Sequence, residues 1–268
     1  MIIDTTKKFA QDYLKPRVIS DYKKEVVDRT IFKEFGNMGL LGPTINGYNC
    51  IGESYLTYGL IAKEIEAVDS GYRSMFSVQS SLVMNPINKY CNDKLKNKYL
   101  PKLASGEFVG CFGLTEPNHG SDPSSMETKA IDDGNNYILN GSKTWISNSP
   151  IADVFIIWAN LDGKIRGFLL DRDMDGISTP KIEGKLSLRT SVTGMIQLDD
   201  VKVPKENILN VEGLKGPFSC LNDARLGISF GVLGAAENCL DETIKYVLDR
   251  KQFGKSLAEK QLIQYKLA

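Results

Sequence analysis

The sequence has 268 residues, 42% hydrophobic and 25% charged, and its 33 basic and 33 acidic side chains give a formal net charge of zero. At about 150 residues per domain, this length predicts roughly two domains. The charge balance argues against binding nucleic acid by phosphate neutralisation, which needs a basic excess. No run reaches the about 18 apolar residues of a membrane span, and no apolar signal-peptide core follows Met1. We expect a soluble chain with no nucleic-acid or membrane partner.

Cysteine and histidine usage restricts the chemistry further. Five cysteines without a Cys-x-x-Cys pair indicate neither a disulfide framework nor a zinc ribbon. We expect each to be a small buried side chain in a reducing compartment: Cys50, Cys91, Cys111, Cys220 and Cys239. The single histidine, His119, excludes a histidine-rich metal site and would serve any Ser-His or Cys-His mechanism alone. No metal is predicted, and the chemistry should come from a cofactor or from carboxylates.

Residues 1–108 are predicted to be helical. Ser54 is a candidate N-cap for a helix with one apolar face, formed by Tyr55, Leu56, Leu60, Ile61, Ile65 and Val68. After an interruption at Gly71-Tyr72, a second helix should end at Pro86, with an apolar face of Met75, Val78 and Leu82. A third helix, from about Asn92 to Leu100, should stop at Pro101 and the Ser105-Gly106 pair.

Residues 109–208 are predicted to form a small β domain, because short β-type runs alternate with turn signals. These runs are Val109–Leu114, Tyr137–Leu139, Thr144–Ile146, Val154–Ala159, Arg166–Leu170, Met195–Leu198 and Val201–Val203. Asn140-Gly141 predicts a hairpin, since Asn-Gly accepts the positive φ angles of a type I′ turn. Strands at this spacing without intervening helices favour an antiparallel sandwich or barrel.

Residues 209–268 are predicted to be helical again. A long helix from about Pro217 to Arg250 carries an apolar pattern with glycines that allow close packing: Ile228, Val232, Ala235, Cys239 and Val247, with Gly227, Gly231 and Gly234. A second helix should begin near Ser256. Because the apolar face of these helices lacks a partner in the sequence, we expect a helical bundle that is incomplete at Ala268. The alternative is a long helix packed on the N-terminal helices, followed by a simple tail.

The most informative segment is the loop Cys111-Phe-Gly-Leu-Thr-Glu-Pro-Asn-His-Gly-Ser-Asp122. Its small and polar residues supply free backbone N–H groups and hydroxyls, which can hold a polar heteroaromatic edge and a pyrophosphate. By itself such a loop would be an ordinary surface connection. Two further segments accompany it, Lys143-Thr-Trp-Ile-Ser-Asn148 and, at the end of the long helix, Arg250-Lys-Gln-Phe-Gly254.

Together these segments resemble the acyl-CoA dehydrogenase family, in colinear order from about Ile3 to Ala268. Three segments are similar to its glutaryl-CoA dehydrogenase branch: Leu41–Ile45, Tyr72–Met84 and Asp122–Thr128. The resemblance implies an α+β multi-domain fold, with a helical bundle over 1–108, a β-barrel or sandwich over 109–208 and part of a second bundle over 209–268. It also implies a bound FAD, a homotetramer and electron-transfer flavoprotein as acceptor. The location would be the cytoplasm of a bacterium or the mitochondrial matrix of a eukaryote.

The resemblance assigns most cofactor contacts to the middle domain. The loop that hydrogen-bonds the flavin is matched by Phe112, Leu114, Thr115, Gly120 and Ser121. The strand whose tryptophan packs on the isoalloxazine ring, with a hydroxyl near the reactive N5, is matched by Trp145, Ile146 and Ser147. Positions that reach the FAD of a neighbouring subunit are matched by Arg250, Phe253 and Gln261. Without the resemblance, Trp145 would be a core residue and Arg250 a cation at a helix C-terminus.

The substrate contacts implied by the resemblance lie mainly on helices. The acyl and pantetheine channel is matched by Phe218, Leu221, Asn222 and Arg225, together with Ser121. Arg73 matches the arginine that docks the distal carboxylate of glutaryl-CoA, with Ser74 beside it, and Glu66 matches a glutamate that tunes that pocket. A charge at the head of the uncharged stretch Ser74–Asn88 is costly unless it is paired. The alternatives are a salt bridge from Arg73 to Asp69 and a solvated helix face for Glu66.

The implied reaction removes two hydrogens across the α–β bond of an acyl-CoA thioester. A carboxylate takes the α proton while the β hydrogen leaves as hydride, and in the glutaryl branch loss of CO₂ then yields crotonyl-CoA. The family's general base is a glutamate in a Tyr-Glu-Gly-Thr context, which this sequence lacks, so we expect it beyond Ala268. The alternatives are a dehydrogenase for other short or branched acyl chains, and a non-catalytic truncated protein that binds flavin or acyl-CoA.

Overall fold

The first part of the chain is helical, as predicted. The computed structural model describes residues 1–268, and its first part contains seven helices and one short hairpin: α1 (Ile2–Phe9), α2 (Val18–Lys24), α3 (Thr30–Asn37), β1 (Asn46–Gly47), β2 (Cys50–Ile51), α4 (Tyr55–Glu66), α5 (Ser70–Ser77), α6 (Asn85–Tyr90) and α7 (Asp93–Ala104). π-helical turns at Ala10–Leu14 and Val78–Met84 extend α1 and join α5 to α6.

Side-chain caps begin several of these helices. Ser54 Oγ accepts a hydrogen bond from the Thr57 N–H at 3.2 Å, which confirms the predicted cap of α4. Asp69 caps α5 by accepting from the Gly71 N–H at 2.7 Å, so the interruption lies before Gly71 and not at Gly71-Tyr72. A carboxylate at this position satisfies one of the unpaired N–H groups of the first turn.

The predicted helix end at Pro86 is wrong, and α7 passes Pro101 to end at Ala104, just before the predicted Ser105-Gly106 pair. Pro86 lies in the first turn of α6, directly after the π-helical turn. Proline is tolerated there because the N–H groups of a first turn have no hydrogen-bond partner within the helix. Pro101 lies inside α7, which continues to Ala104 because Leu103 and Ala104 are buried in the core. Burial of Leu103 and Ala104 outweighs the local tendency of proline to end a helix.

The middle part is one nine-stranded mixed sheet, so the predicted β domain is confirmed, although its strands are not all antiparallel. The strands are β3 (Gly110–Gly113), β4 (Lys129–Asp132), β5 (Asn136–Ser147), β6 (Val154–Leu161), β7 (Lys164–Asp171), β8 (Ile177–Ser178), β9 (Lys181–Ile182), β10 (Thr193–Pro204) and β11 (Ile208–Glu212). The main order is β11-β7-β6-β4-β5-β10-β8, with β3 beside β6 and β9 beside β10. Both β3 and β4 run parallel to β6, which requires long connections that turn signals do not reveal.

The predicted hairpin at Asn140-Gly141 is also wrong. Both residues lie within β5, which pairs with β10 along its length. Gly141 has a φ of +149°, and a Cβ there would lie 2.5 Å from Thr128 Oγ1, so close approach of β5 to Thr128 requires the glycine. Asn140 exchanges two hydrogen bonds of 2.9 Å with Asp200, at an irregularity of β10.

Strand β6 connects the sheet to the helices. Val154, Ile156 and Trp158 belong to the large core shared with the helices, whereas Phe155 and Ile157 belong to a second core within the sheet domain. Successive side chains of a strand point to opposite faces, so one strand can serve both cores. This arrangement brings β3 next to the π-helical turn that follows α5, and β5 next to β3.

The last part is dominated by one helix of 35 residues. Its elements are α8 (Lys215–Asp249), β12 (Lys251–Gln252), β13 (Lys255–Ser256) and α9 (Gln261–Leu267), so the final helix begins five residues after the predicted Ser256. The predicted close packing at the glycines of α8 is confirmed, and its partner is α4. Added Cβ atoms would lie 2.6 Å from Tyr58 Oη at Gly227, 1.9 Å from Glu66 Oε2 at Gly231 and 2.0 Å from the Lys63 carbonyl oxygen at Gly234.

The predicted apolar faces of α4 and α8 need correction. On α4, Tyr55 and Leu56 are exposed and Tyr58 is buried instead, because α8 covers the side with Tyr58. On α8, Ile228 and Val232 are exposed, so an uncovered apolar face exists as expected, although the glycine side is the packed one. No helix in the structure is both long and apolar enough to cross a membrane.

Three of the five cysteines are buried, as predicted. Burial raises the pKa of the Cys91 thiol to about 12 and that of Cys220 to about 11, so these thiols stay protonated. Cys111 is fully buried. The prediction is wrong for Cys239, which is exposed on α8, and Cys50 is only half-buried.

Candidate functional site

A cleft of about 400 Å³ opens where the middle sheet meets α8 and the π-helical turn after α5. Eight of its fourteen lining residues are hydrophobic, and the full set is Val78, Leu82, Phe112, Leu114, Thr115, Gly120, Ser121, Pro123, Trp145, Ile146, Ser147, Phe218, Leu221 and Arg225. An apolar cleft with a few convergent polar groups is the usual form of a small-molecule site.

The cleft brings together residues that lie far apart in the sequence. All eight middle-domain residues that the resemblance suggests for the cofactor line it, and so do four of the suggested substrate residues, Ser121, Phe218, Leu221 and Arg225. Sequence reasoning missed Pro123 and placed Val78 and Leu82 in the helix core. A helix that lines a cleft has the same apolar spacing as one that faces the core, so periodicity alone could not separate the two.

Trp145 has an unusual backbone for a bulky residue. Its φ is +60°, in the left-handed region, and 64% of its surface is exposed. Non-glycine residues in this region are uncommon, and such strain occurs preferentially at functional sites. The buried tryptophan of the chain is Trp158, with no exposed surface, so the core interpretation of Trp145 is wrong. The conformation presents a flat indole ring to the cleft.

Three hydroxyls beside this ring are free for a ligand. Thr115, Ser121 and Ser147 line the cleft, and none of their side-chain oxygens hydrogen-bonds another protein group. Gly120 adds open space, since a Cβ there would meet only a Thr115 methyl carbon at 3.8 Å. A flat aromatic wall beside free hydroxyls fits a planar heteroaromatic group with polar edges, which is the chemistry of a flavin ring.

Behind the cleft lies a buried ion pair between Lys143 and Glu116. The Lys143 ammonium donates to Glu116 Oε1 at 2.7 Å and to the Leu114 carbonyl at 3.1 Å, while the Glu116 carboxylate accepts the Glu127 and Thr128 N–H groups at 2.6 and 3.0 Å. Burial lowers the pKa of Lys143 to about 8, although the Glu116 carboxylate opposes the shift. Burial would raise the pKa of Glu116, but the hydrogen bond from Lys143 lowers it overall.

This lowered pKa predicts a pH-dependent stability. Unfolded Lys143 has a pKa of about 10.4 and the folded form about 8, so between these values the unfolded state binds more protons. Stability from this group therefore rises with pH across that window. We expect the unfolding free energy of wild type, minus that of Lys143→Met, to increase by about 1–2 kcal/mol from pH 7.5 to 9.5. Urea denaturation measures it, and a constant difference would contradict the prediction.

His119 lies on the same loop, with its Nε2 3.4 Å from Glu127 Oε1. Together with Glu116 these side chains form a cluster whose ligand atoms lie within 4.8 Å of one another. Both Glu116 oxygens already accept hydrogen bonds from Lys143 and two backbone N–H groups. The cluster therefore offers no reason to assign a metal.

A second buried ion pair joins Glu66 and Arg73, which are 4% and 8% exposed. Arg73 Nε donates to Glu66 Oε2 at 2.5 Å and Nη1 donates to Ser77 Oγ at 3.1 Å. Asp69 instead caps α5 and accepts from the Thr190 hydroxyl. Both alternatives raised from the sequence, an Arg73–Asp69 salt bridge and a solvated Glu66, are therefore wrong. The pair lies beside the cleft, since Ser77 precedes the lining residue Val78.

The other suggested site residues do not line the cleft of the single chain. Ser74 is half-buried, and Asn222 accepts a hydrogen bond of 2.9 Å from Arg225 Nη1, which orients that cation. Arg250, Phe253 and Gln261 are exposed beyond the end of α8, with Phe253 94% exposed. A large aromatic side chain so exposed has no packing role within this chain.

Known proteins match this chain along its whole length. The mitochondrial isovaleryl-CoA dehydrogenase of Pongo abelii is 39% identical over 98% of this chain and 65% of its own length. The mitochondrial short/branched chain specific acyl-CoA dehydrogenase of Bos taurus is 36% identical over 100% of this chain and 64% of its own length. A crystal structure of a glutaryl-CoA dehydrogenase from Mycobacterium smegmatis in complex with FADH2 superimposes with a TM-score of 0.98. It is 47% identical, over 99% of this chain and 69% of its own.

The three matching family models follow the order of the fold. They are the N-terminal domain of acyl-CoA dehydrogenase over residues 1–107, the middle domain over 111–201 and the C-terminal domain over 212–268. The chain spans about two thirds of the length of the curated relatives that it matches. With three successive domains matched and a cleft at their junction, the chain belongs to the acyl-CoA dehydrogenase family.

Proposed function

We propose that the cleft binds FAD and that the protein dehydrogenates an acyl-CoA thioester across its α–β bond. The exposed indole of Trp145 and the three free hydroxyls beside it support the cofactor assignment. The structurally similar glutaryl-CoA dehydrogenase of Mycobacterium smegmatis was solved with FADH2, which supports it independently. Bound FAD would accept the β hydrogen as hydride at N5, and the residues of the chain supply binding and orientation.

Each wall of the cleft has a distinct role in this proposal. Trp145 would pack against one face of the ring, and Thr115 and Ser147 would hydrogen-bond its polar edge, with Phe112 and Leu114 also in the lining. Gly120 and Ser121 leave room for the loop backbone to approach the ligand. Arg250, Phe253 and Gln261 would contact the FAD of a neighbouring subunit in a homotetramer, which would account for their exposure in the single chain.

The α8 wall would hold the acyl chain and the pantetheine. Phe218 and Leu221 supply apolar surface, and Arg225 is the one charged residue in the lining, held by Asn222. No carboxylate or histidine lines the cleft, so none of its side chains can take the α proton. The proton acceptor is then a carboxylate brought from elsewhere, as the family's catalytic glutamate would be.

We further propose a dicarboxylic acyl chain, with glutaryl-CoA converted to crotonyl-CoA and CO₂. The observation that carries this proposal is the buried Arg73 guanidinium, with Nε held by Glu66, Nη1 bonded to Ser77 and Nη2 without a protein partner. A fixed guanidinium with a free donor suits a distal carboxylate, and Ser74 lies next to it. Glu66 would set its orientation.

A short branched-chain substrate is the second candidate. It is favoured by the two branched-chain relatives and by the apolar side chains Val78 and Leu82 in the cleft wall. The carboxylate-binding guanidinium distinguishes the candidates, because a branched alkyl group has no partner for a cation. In either case the electron acceptor would be electron-transfer flavoprotein. The compartment would be a bacterial cytoplasm or a mitochondrial matrix.

Flavin binding can be tested through the two tryptophans, since Trp145 is exposed in the cleft and Trp158 is buried. FAD should quench the fluorescence of Trp145, and Trp145→Leu should weaken FAD binding about two- to twelvefold, because an aromatic pair contributes about 0.5–1.5 kcal/mol beyond burial. Leu186→Ala, an exposed apolar residue outside the cleft, is the matched control. Equal affinity of the Trp145 variant and wild type would contradict the assignment.

A further inference from the structure

The buried Lys143–Glu116 pair contacts both walls of the cleft and has no role in the chemistry proposed above. Lys143 lies on β5, two residues before Trp145, and Glu116 follows Thr115 on the loop between β3 and β4. Neither side chain lines the cleft itself. Each is therefore one or two residues from a group that lines the cleft, on two adjacent segments.

The hydrogen bonds of the pair all join these two walls or close the loop. From the strand, Lys143 donates to the Leu114 carbonyl and to Glu116. Glu116, near the start of the loop, accepts hydrogen bonds from the Glu127 and Thr128 N–H groups at its end. A backbone hydrogen bond of 2.9 Å from Thr144 to the Thr115 carbonyl runs alongside. Gly113 lies against Ile157 and the lysine stem, since an added Cβ would lie 2.8 Å from Ile157 Cδ1 and 3.2 Å from Lys143 Cγ.

Stability alone does not account for a charged pair at this place. A buried ion pair must overcome the desolvation of both charges, and well-packed apolar residues often stabilise a protein as much or more. An ammonium and a carboxylate form several hydrogen bonds at defined angles, whereas apolar side chains form none. The pair uses these bonds to hold one loop against one strand.

We propose that Lys143 and Glu116 are positioning residues of the flavin site, whose ion pair sets the separation between the wall with Thr115 and the wall with Trp145 and Ser147. The inference rests on the proposed binding of FAD. It assigns no proton transfer to either residue. The titratable side chains grouped with Glu116 are His119 and Glu127.

The test uses the double variant Lys143→Met/Glu116→Leu, which replaces both charges with apolar groups and leaves neither unpaired. We expect a urea midpoint close to that of wild type, FAD affinity at least about tenfold weaker by Trp145 fluorescence, and faster hydrogen exchange over residues 114–128. Lys143→Arg, which keeps the charge, should recover part of the affinity. Lys94→Met, which breaks the exposed pair with Glu206, is the control and should change neither property.

Each outcome decides the inference. A folded double variant with wild-type FAD affinity and wild-type exchange over 114–128 would overturn it, because the pair would then be only structural. If the double variant does not fold, Glu116→Gln, which keeps the side-chain size, must show the same loss of affinity or the inference fails. If wild type itself binds no FAD, the proposed function fails, and exchange over 114–128 in the variants still decides whether the pair holds the loop.

Discussion

Arg73→Ala should weaken binding of glutaryl-CoA about ten- to a hundredfold and leave butyryl-CoA nearly unchanged. The two thioesters share the reacting carbons and differ in the distal carboxylate. A hydrogen bond to a charged group contributes about 1.5–3 kcal/mol, which corresponds to this range. In the structure Arg73 is already oriented by Glu66 and Ser77, so docking a carboxylate on it requires little rearrangement.

The ratio of the two affinities is the quantity to measure, by titration calorimetry with each thioester on the same variant. Removing Arg73 leaves the Glu66 carboxylate buried without its partner, which costs about 3–5 kcal/mol of stability, but this loss is common to both ligands and cancels in the ratio. Arg73→Lys should recover only part of the preference, because an ammonium lacks the planar fork of donors. Equal losses for both thioesters would refute the dicarboxylate preference and leave family membership intact.

Gly231→Ala should destabilise the protein by about 3–5 kcal/mol, against the usual trend for helices. A glycine-to-alanine change inside a helix normally stabilises it by about 0.5–1 kcal/mol. At this position, however, the added Cβ would lie 1.9 Å from Glu66 Oε2. Either α8 moves away from α4 or the Glu66 carboxylate leaves Arg73, and both break buried contacts.

Chemical denaturation measures this effect, with Ser229→Ala on the exposed side of α8 as the matched control. The control should change the unfolding free energy by less than about 0.5 kcal/mol. If Gly231→Ala displaces Glu66, it should also reduce the preference for glutaryl-CoA over butyryl-CoA, since the guanidinium loses its orienting partner. A Gly231→Ala protein as stable as wild type would show that α4 and α8 can separate freely.

The sequence by itself determined those features that depend on neighbouring residues. The caps at Ser54 and Asn92 mark the starts of α4 and α7, because each side chain satisfies an N–H three residues ahead. The glycine series of α8 indicated close packing before the partner helix was known. The loop after β3 and the strand with Trp145 indicated a cofactor site only together with the end of α8, through their resemblance to the acyl-CoA dehydrogenase family.

Tertiary structure decided which of these local preferences prevailed. Asn140-Gly141 has the sequence of a tight turn but lies in a continuous strand, because Gly141 meets Thr128 across the sheet. Pro101 lies inside a helix because the next turn is buried. The parallel pairing of β3 with β6 joins segments separated by about forty residues, a distance over which periodicity carries no information.

The partners of the buried charges were likewise set by the fold. Asp69 is nearer to Arg73 in sequence, yet Arg73 pairs with Glu66, because the break between α4 and α5 turns Asp69 toward the helix N-terminus and Thr190. The partners of Lys143 come together only when the loop closes over β5. Local sequence encodes where helices such as α4 and α7 begin, but the Coulomb attraction of a buried pair depends on a separation of a few ångströms that exists only in the folded chain.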